Sequence, residues 1–90
     1  MLEHRPGAAV EGSVYAHPLF AEHLAFVNTL KDKGVLIAAG PLPDEAGVGQ
    51  TIIRVPAGDA SRCVDAAHDD AAVAGDLLVL RVRPWNVMVS

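Results

Sequence analysis

The sequence lacks the features that mark several common classes of protein. It has no apolar run near the roughly 20 residues that a membrane-spanning helix needs, and its first twelve residues have no apolar signal-peptide core. Seven Lys and Arg stand against eleven Asp and Glu, which leaves no basic patch for nucleic acid. Cys63 is the only cysteine, so no intramolecular disulfide can form. We therefore expect a cytoplasmic protein that binds neither membranes nor nucleic acid.

The composition predicts one folded domain that spans residues 1–90. Hydrophobic residues make up 51% of the chain and charged residues 20%, which is too apolar and too weakly charged for a disordered segment. A chain of this length supports a single hydrophobic core.

Local patterns predict four strands and two helices. Apolar residues recur at three- and four-residue steps between Phe20 and Leu30, the period of an amphipathic helix that starts near Pro18 and stops at Gly34. A second helix is expected after Asp59, whose carboxylate would cap its first turn. The predicted strands are residues 2–5, 35–39, 51–55 and 77–83. The order is that of a ferredoxin-like α+β fold, βαββαβ, with a four-stranded antiparallel sheet and both helices on one face.

The predicted strands are apolar on both sides. Residues 35–39 form a continuous apolar run. In the last strand Leu77, Val79 and Trp85 would lie on one face of the sheet, and a second apolar set would lie on the other face. That second set is Leu78, Leu80 and Val82. Because two helices cover only one face of a sheet, something else has to cover the other face. We predict a homodimer formed through the open sheet face.

Three segments carry a resemblance to a known family. They are HRPG at 4–7, HLAFVNTLKDKGVLIAAGPLPD at 23–44 and DDAAVAGDLLVLRVRPW at 69–85. Their order and spacing resemble the YciI-like (YCII-related) family, in which a helical histidine precedes a glycine-led strand and an Ala-Gly-Pro turn. The resemblance implies a dimeric α+β barrel and a His–Asp site that maps onto His23 and Asp69. It also implies lyase-, isomerase- or dehydrochlorinase-like chemistry on small ring compounds without a cofactor.

Two departures from the family pattern affect the site. Asp70 stands where family members usually have proline after the site aspartate, which places a second carboxylate beside the first. The first strand is also short, since Pro6 follows closely after the start of the sequence.

His23 and Asp69 are the predicted catalytic residues. His23 lies on the apolar stripe of its helix and should point towards the sheet. A carboxylate bonded to one of its ring nitrogens would set the tautomer and raise the basicity of the other nitrogen. The alternative is a core histidine near a solvated helix end. Asp70 is expected to lie at the surface or to cap the turn at 71–74.

Other polar residues are assigned lesser roles. His4, Arg5, Tyr15 and Arg83 are candidate substrate-binding residues, with Arg5 or Arg83 as the counter-charge for an anionic metabolite. His17 and His68 are expected to face solvent, and Cys63 to be a small buried hydrophobe. No HxH or HxxxH spacing is present, so we expect no metal. The predicted function is that of a cofactor-free acid–base enzyme; the alternative is a non-catalytic small-ligand-binding or interaction domain.

Overall fold

In the described part of the chain, the fold consists of a four-stranded antiparallel sheet and three α-helices in the order β-α-β-β-α-α-β. The computed structural model describes residues 1–10 and 12–89; Glu11, in the segment between the first strand and the first helix, and Ser90 lie outside the described residues. The strands run in the order β2-β3-β1-β4 across the sheet. The elements are β1 (Leu2–Pro6), α1 (Leu19–Asp32), β2 (Leu36–Pro41), β3 (Gly49–Ile53), α2 (Ala60–His68), α3 (Ala71–Ala74) and β4 (Leu78–Val82). The predicted α+β class is confirmed, and the architecture is compatible with a ferredoxin-like arrangement.

The first helix closely follows its predicted bounds. α1 begins one residue after Pro18 and ends before Lys33 and Gly34, where Gly34 adopts a φ of 75° that favours glycine. His17 contributes a cap that the sequence analysis missed, since its Nδ1 accepts a hydrogen bond from the backbone N–H of Leu19 at 3.1 Å. No helix within residues 1–10 and 12–89 has the length and apolar character needed to cross a bilayer.

The hairpin strands differ from their predicted bounds by one or two residues. β2 runs on through Gly40 and Pro41, and β3 already begins at Gly49. β2 lies at the edge of the sheet, where a proline costs no ladder hydrogen bond if its nitrogen faces outward. The prediction that this strand ends at residue 39 was therefore wrong.

The second predicted helix is α2, and the turn expected at 71–74 is the separate short helix α3. α2 ends at His68, and Asp70 adopts an extended conformation (φ −51°, ψ 124°) before α3 begins. The predicted side-chain cap at Asp59 is also wrong, because a 3-10 turn at Ala57–Asp59 leads directly into α2 and the Asp59 carboxylate makes no capping bond.

The core lies beneath α1 and α3 at the start of β4. Val14, Ala72, Leu77 and Leu78 are buried together, and Phe20 packs against them. Leu77 was predicted to share the outer face with Val79. It is instead fully buried, because it precedes β4 and does not follow the alternation of the strand.

The pairing register assigns the residues of β1 to two opposite faces of the sheet. Leu2 and His4 are buried on one face, and Glu3 and Arg5 point to the other because side chains alternate along a strand. Val79, opposite Arg5 in the register, is 54% exposed. The sheet therefore has one face packed in the core and one open face.

Gly7 joins the end of β1 to the chain that enters β4. Its N–H donates to the carbonyl of Leu77 at 2.8 Å, and Ala9 donates to the carbonyl of Asp76 at 2.9 Å. A Cβ atom at Gly7 would lie 2.2 Å from the Asp76 carbonyl oxygen, so only glycine permits this approach.

We expect Gly7→Ala to lower the free energy of unfolding by about 1–3 kcal/mol, because backbone has to move to admit the methyl group. Urea unfolding monitored by circular dichroism measures the change. Gly58→Ala is the matched control, since nothing lies within 4 Å of a Cβ built there. Equal stability of the two variants would contradict the close approach.

Candidate active site

The centre of the site is a hydrogen bond between His23 and Asp70. His23 Nδ1 lies 2.7 Å from Asp70 Oδ2, and the Asp70 side chain is wholly buried while that of His23 is 12% exposed. An ionised carboxylate can only accept, so the bond puts the proton of a neutral His23 on Nδ1 and leaves a lone pair on Nε2. A histidine held in one tautomer in this way is suited to accept and return a proton at Nε2.

The carboxylate partner is Asp70, and the prediction of Asp69 was wrong. Asp69 is the C-terminal cap residue of α2 and is exposed, whereas Asp70 turns inward at the N-terminus of α3. Asp70 Oδ1 accepts the N–H of Ala72 at 3.0 Å while Oδ2 faces His23. The capping role considered for Asp70 is confirmed and its surface placement is not.

His4 reaches the same site from the central strand β1. Its ring lies edge-on to that of His23, with centroids 4.5 Å apart, and the residue is 2% exposed. Its Nε2 is buried and has no hydrogen-bond partner among the described residues. The pKa of His4 is lowered to about 4, chiefly by burial and also by the nearby His23, while Asp70 opposes the shift. His4 is therefore neutral at physiological pH.

A cavity of about 200 Å³ opens beside the two histidines. The aromatic rings of Tyr15 and Phe20 meet edge to face on one side of it, with centroids 5.0 Å apart. Thr51, which is buried at the centre of β3, and the neighbouring Gln50 also line the cavity. The predicted placement of His4 and Tyr15 beside His23 agrees with this lining.

Arg5 and Arg83 were predicted at the pocket, and both positions are wrong. Arg5 Nε donates to Glu3 Oε1 at 2.8 Å and Arg5 Nη1 to Glu45 Oε2 at 2.9 Å, on the open face of the sheet. Arg83 Nη1 lies 3.9 Å from Glu3 Oε2. The hydrogen bond from Arg5 lowers the pKa of Glu3. No Lys or Arg lines the cavity within the described parts of the chain.

The remaining candidates lie away from the dyad. His68 is exposed at the end of α2, and Cys63 is half-buried on the same helix. Phe20 and Thr51 line the cavity without having been singled out as site residues. The apolar stripe of the first helix indicated that Phe20 points towards the sheet. The position of Thr51 at the cavity depends on the pairing of β3 with β1, which places Thr51 opposite Leu2.

No protein-family model, curated protein or solved structure matches this chain. The likeness to the YciI-like family therefore rests on the sequence segments described above.

The lowered pKa of His4 makes the stability of the fold depend on pH. The unfolded chain binds a proton at His4 below about pH 6.5, and the folded protein resists doing so until about pH 4. The free energy of unfolding should therefore fall as the pH drops from 6.5 to 4, by on the order of 3 kcal/mol from this residue.

Urea unfolding of wild type and His4→Leu across this range, in metal-free buffer, measures that contribution. The difference between the two proteins removes the effect of His17, His68 and the carboxylates other than Asp70. Its pH dependence also reports on His23 and Asp70, which face the His4 ring. If the free energies of unfolding of the two proteins differ by the same amount at every pH, His4 takes up its proton equally in the folded and unfolded states.

Proposed function

We propose that this chain is a small-molecule enzyme of the YciI-like type that performs acid–base chemistry with His23 and Asp70. The observation that carries the proposal is the 2.7 Å bond between His23 Nδ1 and Asp70 Oδ2 beside an open cavity. In the reaction His23 Nε2 removes a proton from a substrate carbon or hydroxyl and returns it at another atom or to a leaving group. Asp70 holds the tautomer and stabilises the imidazolium that forms.

The cavity modifies the substrate class that the sequence suggested. About 200 Å³ holds a single small ring, and the aromatic edges of Tyr15 and Phe20 suit a planar one. The counter-charge for an anionic substrate is missing from the lining within the described residues, and buried Asp70 repels anions. The substrate we propose is therefore a small, uncharged ring compound whose isomerisation or elimination begins with proton removal.

The finer architecture belongs to the same proposal. We take the sheet and its helices as a ferredoxin-like unit that pairs with a second copy through its open face to form a dimeric α+β barrel. Exposed apolar side chains support this, since Ile37, Val79 and Trp85 are each more than half exposed. Glu3 forms ion pairs with Arg5 and Arg83 on that face. These charges would therefore enter the interface already paired with one another.

A turnover assay on a panel of small cyclic phenols, chlorinated hydroquinones and lactones tests the catalytic role. We expect Asp70→Asn to lower kcat/KM by roughly 10²–10⁴, the range of a general acid–base contribution. The asparagine oxygen can still accept from Ala72, but its NH₂ group favours the other tautomer of His23. Asp69→Asn is the matched control and should retain wild-type activity because Asp69 is exposed.

Equal activity of wild type and Asp70→Asn would exclude the dyad as the catalytic group. The alternative, a non-catalytic small-ligand-binding domain, predicts that a ring compound binds wild type without being turned over.

The dimer is tested by sedimentation of Val79→Glu. In a two-fold interface the same patch of both subunits is buried, so the new glutamates would bring like charges together in an apolar contact. This variant should therefore sediment as a monomer while wild type sediments as a dimer. Ala25→Glu is the control, because Ala25 is exposed on α1. A monomeric wild type, or a dimeric Val79→Glu, would rule out this face.

A further inference from the structure

His4, His23 and Asp70 form a cluster of metal-ligating groups that no sequence spacing reveals. The three residues belong to β1, α1 and the residue before α3, and they converge only in the folded chain. One ligand atom from each lies within 4.8 Å of the other two. Two imidazoles and one carboxylate are the donor set of several catalytic metal sites.

The unpartnered nitrogen of His4 points independently to a ligand. His4 is 2% exposed, and its Nε2 has no hydrogen-bond partner among the described residues. Leaving a buried polar atom unpaired destabilises the fold, so such atoms in folded proteins call for an explanation. A metal ion bound at this nitrogen would supply the missing partner.

We propose that His4, His23 and Asp70 bind one divalent transition-metal ion of the Zn²⁺ type, with its open coordination positions towards the cavity. Imidazole nitrogen favours Zn²⁺, Co²⁺ and their neighbours over Mg²⁺ and Ca²⁺, which take oxygen ligands. The Asp70 carboxylate offsets part of the charge of the ion. No Lys or Arg among the described lining residues opposes a cation there.

The donors lie near the geometry that binding requires. At zinc–ligand distances of about 2.0–2.1 Å, tetrahedral donors stand about 3.3 Å apart, so gaps of up to 4.8 Å close by roughly 1.5 Å. No described hydrogen bond holds the Nε2 of His4, so a shift of its ring towards the other two ligands breaks no bond at that nitrogen. Asp70 stays oriented by the N–H of Ala72.

Metal binding does not depend on the proposed acid–base function. It uses the same His23 and Asp70, however, so an ion at the site would occupy the carboxylate that holds the His23 tautomer. The metal-bound and acid–base-active forms are then mutually exclusive, and Zn²⁺ would inhibit turnover. Direct measurement of binding separates the two proposals, because it needs no substrate.

The test is titration of the chelator-stripped protein with Co²⁺, followed by its visible d–d absorption, and with Zn²⁺ by calorimetry. Wild type should bind one ion per chain. We expect His4→Leu and Asp70→Asn to weaken binding by more than about 100-fold, beyond the loss typical of an outer-shell partner. The matched controls His68→Ala and Asp69→Asn alter exposed residues and should bind as wild type does.

Two results would overturn the site: no saturable binding by wild type, or binding that survives in both ligand variants. Imidazole ¹⁵N spectra of wild type with Zn²⁺ give an answer even where a variant fails to fold. The ring nitrogens of His4 and His23 should shift while those of His17 and His68 stay in place. Shifts confined to His17 or His68 would assign the ion to the surface.

Discussion

The structure of the site depends on one side chain, the buried carboxylate of Asp70. Its Oδ1 accepts the Ala72 N–H at the start of α3, and its Oδ2 lies 2.7 Å from His23 Nδ1 on α1. The two bonds satisfy a carboxylate whose burial would otherwise be costly. They also connect the two helices that border the core, so the geometry of the dyad and the packing of α1 on α3 are parts of the same arrangement.

The strand β1 separates two electrostatic environments. His4 points into the core beside the dyad, whereas Glu3 and Arg5 point to the open face, where Arg5 pairs with Glu3 and Glu45. Alternation along a strand produces this separation. Its consequence is that Arg5, the neighbour of His4 in sequence, cannot reach the cavity, which leaves two imidazole rings and one carboxylate to interact with a ligand.

Much of the fold could be read from local pattern. The period of apolar residues in α1, the glycine at its end and the apolar run of β2 each depend on neighbours within a few positions. The break in the second helix was visible as Asp69-Asp70, but its consequence was not. Because α2 ends at His68 and Asp70 leaves the helical backbone conformation, Asp69 faces solvent and Asp70 faces His23.

The sequence by itself determined the α+β class, the amphipathic α1 and the inward direction of His23, because these follow from short-range periodicity and from which residues avoid water. Only the tertiary structure decided which aspartate meets His23, that His4 joins them, and that Arg5 and Arg83 do not. Those outcomes depend on strand pairing and on where a helix stops. They bring together residues from positions 4, 23 and 70, and no local pattern in the chain encodes distances between such remote positions.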